Sequence, residues 1–198
     1  MQSRAEITRT RLLDAARRCF AEHGYAVTGV ADICTQAGVS KGAFYHHFPS
    51  KQALFLALLD EWLQTLDAQM ARARAGADAA PAALLNAAGM FAQVFADAAG
   101  QLPMFLEFWS QAARDPAVWA ATISPYRRYH ALFREWVEAG VAEGSLRQVD
   151  AGAAAHVLVA LALGLLLQSL VDAEGADWGA VGQEGMRLLL DGLERRTL

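Results

Sequence analysis

The sequence predicts an all-α protein of roughly nine helices, with an N-terminal three-helix domain over residues 1–51 and a larger helical domain over residues 52–198. Three observations point there. Apolar residues recur at intervals of three and four along nearly the whole chain, and no convincing alternating stretch competes with them. The segment Thr28–Lys51 carries the turn chemistry of two short helices joined by a tight bend. A chain of 198 residues, 55% hydrophobic, is long enough to bury a substantial core.

The elements follow in order. Ile7–His23 places Leu12, Ala16 and Phe20 on one face, and Gly24 stops it. Thr28 precedes Val30, Ile33 and Ala37 and is expected to cap the second helix through its hydroxyl. Gly38 supplies the left-handed turn that ends it, and Ser40 caps the third helix. There Val39 and Phe44 are placed to form a hydrophobic staple, while Phe44 and Phe48 share the inner face. Lys41 with Tyr45, and Gly42 with His46, then face outward as i, i+4 pairs.

A cation, a bare backbone, a phenol and an imidazole pack poorly but suit a nucleic-acid groove. Lys41 can reach a guanine edge, Gly42 and Ala43 permit close approach to bases, and Tyr45 and His46 can bond phosphate oxygens. Pro49 ends this helix. Ser50 caps the next and sets Lys51 in its first turn, where an ammonium beside free amides is expected to hold a phosphate.

A long helix from Ser50 to Arg74 leads into the second domain, and the Gly76–Pro81 segment breaks it. Further helices are expected at Ala82–Ala99, Leu102–Arg114, Asp115–Glu143, Asp150–Ala173 and Asp177–Arg195. Pro125 lacks a backbone donor and should break or kink the Asp115–Glu143 span near Ala121. Within Asp150–Ala173 the run Val157–Leu167 is uninterruptedly apolar, yet a membrane span needs about 20 such residues. His156, Gln168 and Ser169 bracket the run, so no membrane role is expected. A helix apolar on every side is instead buried on every side, by its own domain and by a second subunit. Paired with the last helix, it would form a four-helix interface about a two-fold axis.

The chain's charge of −4 is unevenly distributed. Residues 1–51 hold seven basic against four acidic side chains, a net +3, while the remainder holds ten against seventeen, a net −7. Phosphate attraction therefore belongs to the first 51 residues. Two cysteines and no apolar leader after Met1 suggest a reducing cytoplasm, with Cys19 and Cys34 as small buried apolar residues. No Gly-rich phosphate loop, nucleophile elbow or metal-spaced cluster occurs, so neither an enzyme nor a metal or other cofactor is expected. His46 and His47, being adjacent, point to different sides of their helix and do not form a metal-ligand pair.

The run Gly24-Tyr25, Thr28, Val30, Ile33, Ala37-Gly38-Val39-Ser40-Lys41-Gly42, Tyr45, His47-Phe48, Ser50-Lys51 and Leu54-Phe55 resembles the N-terminal signature of the TetR/AcrR family of bacterial transcriptional regulators. Gly29, where Ser or Thr is common, and Cys34, where Ala is usual, depart from it. The resemblance implies a homodimeric, all-helical repressor of double-stranded DNA whose larger domain serves ligand binding and dimerisation. It implies DNA contacts at Thr28, Ser40, Lys41, Gly42, Ala43, Tyr45, His46 and Lys51. It also turns the aromatic crowding between Met90 and Trp136 toward a pocket for a small hydrophobic effector. Candidate lining residues are Phe91, Phe95, Met104, Phe108 and Gln111, with Tyr126, His130 and Phe133 one turn apart opposite them, and Gln168. The other reading is a DNA-binding regulator that needs no effector.

Overall fold

The computed structural model describes residues 4–90, 92–93, 106–110 and 116–193, with backbone alone at 116, 117, 121 and 122. Among these, the chain forms helices α1 (Arg4–His23), α2 (Val30–Ala37), α3 (Lys41–His47), α4 (Lys51–Ala75), α5 (Ala80–Ala88), α6 (Pro116–Glu143), α7 (Ala151–Val171) and α8 (Trp178–Leu193). Residues 106–110 are also helical, and the described residues contain no strand. The all-α expectation holds.

Two compact units emerge: Met1–Thr65 with Gly100–Pro116, and Leu66–Ala99 with Ala117–Leu198. The division falls inside α4. Unit 1 thus extends past residue 51 and takes in a distant piece of chain.

In unit 1, α1 buries Leu12, Leu13, Ala16, Cys19 and Phe20. Gly24 closes it at φ +83°, its amide donating to Phe20 O at 2.9 Å. That left-handed geometry suits a residue without a Cβ. Gly38 does the same after α2 at φ +64°, where Val39 N donates to Cys34 O at 3.0 Å.

In unit 2, Met70, Leu84, Trp136, Val137, Leu158, Met186 and Leu190 form the centre of the core. The N-cap position of α5, Ala79, has no side chain able to cap. Glu143 at the end of α6 substitutes, its Oε1 accepting from Ala80 N at 2.8 Å. Asp150 caps α7 by accepting from Ala153 N at 3.0 Å, and Asp177 caps α8 through Ala180 N at 3.0 Å.

Two expectations are corrected. Of the break or kink expected at Pro125, the break does not occur: Pro125 lies within α6, which is helical on both sides of it. The helix expected over Ala82–Ala99 ends at Ala88, with Gly89 following; residues 92–93 are again helical, and residues 91 and 94–99 of that span lie outside the described residues.

Candidate functional site

The α2–α3 pair presents the surface expected of it. Ser40 caps α3, its side chain accepting from Ala43 N at 3.1 Å. Phe44 is 0% exposed and Phe48 4%, so the inward face is fully packed. Lys41, Gly42, Tyr45 and His46 are all exposed, and Ala43 is half-buried. Gly42 has no internal reason to be glycine. A Cβ built there would find Ser40 Oγ as its nearest neighbour at 3.7 Å, an ordinary contact. Glycine inside a helix nevertheless costs about 1 kcal/mol relative to alanine.

Thr28 differs from expectation. Gly29, not Thr28, occupies the N-cap of α2, with Asp32 Oδ2 accepting from Gly29 N at 2.8 Å. Thr28 is 3% exposed, and its hydroxyl lies 2.7 Å from Gly24 O and 3.1 Å from Cys19 O. Its side chain holds the α1–α2 turn from inside. A threonine hydroxyl can donate one proton, and both carbonyls within its reach are internal.

Lys51 also faces inward. Its Nζ donates to Tyr25 O at 2.7 Å, Ala26 O at 3.3 Å and Thr28 O at 2.7 Å, and it lies 4.5 Å from the Tyr25 ring centroid. An ammonium has three protons, and three carbonyls take them. Desolvation lowers the Lys51 pKa, while the nearby Glu107 opposes that shift. Lys51 is therefore a tie across the α1–α2 turn.

Glu107 grips the same turn from the opposite polarity. Its carboxylate accepts from Tyr25 N at 2.7 Å and Ala26 N at 2.8 Å. One turn of backbone is thus held by an ammonium on its carbonyls and a carboxylate on its amides. Tyr25 anchors it further, 6% exposed and edge-on to Phe55 (5.1 Å) and Phe108 (5.2 Å). Sequence reasoning missed Glu107. The available signal was a lone carboxylate in the apolar run Met104–Trp109.

Residues 12–58 match the family model for bacterial regulatory proteins, tetR family, and residues 89–194 match that for the BetI-type transcriptional repressor, C-terminal. The chain belongs to the TetR family of transcriptional regulators. Its similarity to the HTH-type transcriptional regulator BetI of Burkholderia mallei (strain NCTC 10229) is 33% identity over 176 residues, covering 87% of this chain and 86% of the relative. The HTH-type transcriptional regulator UidR of Escherichia coli (strain K12) is 26% identical over 194 residues, covering 98% and 96%. The solved structure of a TetR-family transcriptional regulator from Streptomyces coelicolor superimposes with a TM-score of 0.78 at 26% identity, covering 96% of this chain and 97% of its own. The family and these relatives are transcriptional regulators, not enzymes.

The side chains expected to line a ligand pocket are scattered. Phe91, Phe95, Met104 and Gln111 lie outside the described residues. Phe108 is 2% exposed and stacks on Phe55 with ring centroids 4.0 Å apart, which makes it core of unit 1 rather than a pocket wall in unit 2. Tyr126 is exposed, its hydroxyl 3.4 Å from His156 Nδ1. His130 lies against His156 with ring centroids 3.9 Å apart, and its Nε2 is 3.3 Å from Gly152 O. Phe133 meets Trp136 edge-on at 5.8 Å, and Gln168 is exposed, donating to Gly164 O at 3.4 Å. None of these described side chains is among the walls of a cleft found in unit 2. That cleft, about 490 Å³, runs between α4 and α6 over Met70, Leu132 and Trp136. Its volume is within the range of small-molecule sites, roughly 300–1,000 Å³.

Proposed function

We propose that this TetR-family regulator is a cytoplasmic repressor that binds a palindromic operator in double-stranded DNA as a homodimer and is released by a small hydrophobic effector. In this reading residues 1–51 form the DNA-binding domain and 52–198 the effector and dimerisation domain. The observation that carries it is the outward face of α3, with Lys41, Gly42, Tyr45 and His46 exposed in front of buried Phe44 and Phe48. Gly42 supports it too, since a Cβ there would meet only an ordinary contact with Ser40 Oγ, and its absence leaves room for close approach by something outside the protein. Ser40 and Ala43 would contribute through the helix start. Thr28 and Lys51 would act indirectly, by fixing the turn that orients α2.

The dimer reading rests on α7 and α8. Only 22% of the apolar window in Ala151–Val171 is buried within one chain. Val157, Ala160, Gly164, Leu167 and Val171 recur at the 3–4 spacing of an interhelical seam, and four of the five are exposed. A Cβ on Gly164 would meet nothing within 4 Å, so that stretch of backbone is open to a close neighbour. Val181, Leu188 and Gly192 extend an exposed stripe along α8. A second copy would cover both, and two α3 helices would then enter major grooves about 34–36 Å apart.

Mobility shift on the DNA upstream of the coding sequence tests this. Lys41→Ala should lose about tenfold in preference for that DNA over random duplex, the worth of one good base contact. Lys51→Ala should lower thermal stability without flattening the salt dependence of binding by the folded protein. Failure of the wild-type protein to distinguish upstream from random DNA would refute the proposal.

A further inference from the structure

The cleft between α4 and α6 has a charge pattern that selects a ligand class. Its floor is apolar, formed by Met70, Leu132 and Trp136. The acid on its wall, Asp67, is already neutralised: Oδ2 lies 2.9 Å from Arg128 Nη2, and Oδ1 accepts from the Tyr129 hydroxyl at 2.7 Å. That engagement, after desolvation, pushes the Tyr129 pKa up and keeps the phenol a donor to Asp67. Arg74 shares the cleft, and of its five N–H donors one is assigned, to Ala77 O at 3.2 Å. No carboxylate among the described residues forms an ion pair with it; Glu143, the acid it acts on electrostatically, accepts instead from Ala80 N at 2.8 Å and the Ser145 hydroxyl at 2.7 Å. Two guanidinium groups against one carboxylate leave the wall with an excess positive charge above an apolar floor.

We infer that this cleft is the effector site and that it takes an amphipathic organic anion, its apolar body lying on Trp136, Met70 and Leu132 and its carboxylate paired with Arg74. The inference rests on the reading of the protein as effector-responsive. A guanidinium that still has donors to offer is the strongest polar anchor in the cleft, and it matches a carboxylate fork to fork. A cationic ligand meets the reverse. The one acid among the residues lining the cleft, Asp67, is held by Arg128 and Tyr129, and Arg74 repels it.

The test compares three probes of one shape on the full-length protein by calorimetry: 2-naphthaleneacetate, its neutral amide, and 2-(naphthyl)ethylammonium. Wild-type protein should bind the carboxylate about tenfold tighter than the amide, with the cation weakest. Arg74→Gln should bring the carboxylate to the affinity of the amide. Ala75→Trp, filling the cleft from an exposed position on α4, should abolish binding of all three while leaving the melting temperature close to wild type. Equal binding of carboxylate and amide, tighter binding of the cation, or an unchanged preference in Arg74→Gln would overturn the inference. Mobility shift on the same preparations separates the two readings. Protein that shifts its upstream DNA but shows no carboxylate preference refutes the anion site alone, whereas protein that binds the carboxylate but ignores DNA refutes the regulator.

Discussion

Replacing Glu107 by alanine removes one carboxylate and leaves two backbone amides, at Tyr25 and Ala26, without the acceptor that lies 2.7 and 2.8 Å from them. The Tyr25 amide is partly buried, so losing a charged acceptor there should cost about 1.5–3 kcal/mol. The Ala26 amide is exposed and can turn to water, so its loss should add only about 0.5 kcal/mol. Glu107 also favours the charged form of Lys51 against desolvation, and its removal leaves that ammonium less well compensated. The sum, roughly 2–3.5 kcal/mol, is a large part of the 5–15 kcal/mol typical of a folded domain. Urea unfolding would measure it, with amide exchange at Tyr25 and Ala26 reporting the turn directly. Glu107→Gln keeps one acceptor oxygen but points an amide donor at the other N–H, and should recover less than half. An unfolding midpoint for Glu107→Ala equal to wild type, with the Tyr25 amide still protected, would show that the turn does not depend on this carboxylate.

Three further outcomes are expected. Ser40→Ala removes the α3 cap at Ala43 N and should cost about 1 kcal/mol by denaturant titration, with Ser40→Gly costing only a few tenths. Burial raises the thiol pKa of Cys19, reinforced by Glu22 and Asp32, and burial likewise raises that of Cys34. Iodoacetamide at pH 8 should therefore modify both slowly in the native protein and rapidly in urea, and the stability linked to the protonated thiols should fall as pH rises above 9.0, because the unfolded thiols ionise first. The Ala80 N–H, and secondly the Ser145 hydroxyl, hold the Glu143 carboxyl below its ordinary value of 4.5. The stability difference between wild type and Glu143→Gln should accordingly be constant above pH 4.5 and shrink as pH falls through the folded-state pKa, as followed by thermal melts across pH.

What the sequence made legible was local. Ser40, Ser50, Asp150 and Asp177 each cap a helix through an amide three residues ahead, a relation visible in four consecutive letters. The two faces of α3 separated correctly because i, i+4 spacing alone decides which side Phe44 and Phe48 share. What stayed hidden was long in sequence. Lys51 finds its carbonyls 23 to 26 residues back, and Glu107 finds its amides 81 and 82 residues back. No periodicity encodes either pairing. Phe108 followed a pocket-like stripe but is buried in unit 1, because a helical stripe states which residues share a face and not what that face meets. Nothing in the sequence singles out Arg74 and Asp67, because only the approach of α6 gives them a cleft. The uniform apolarity of α7 is the ground for expecting a partner, and within a single copy of the chain only 22% of that window is fully buried.

The most direct measurement of the central claim is a hydroxyl-radical footprint of the upstream DNA with purified protein whose molar mass is followed in the same buffer. Two protected patches one helical turn apart, about 10 base pairs, bound by a species of twice the chain mass and lost together in Lys41→Ala, are the predicted result. A single patch bound by a monomer, or protection unchanged when Lys41 is removed, would contradict it.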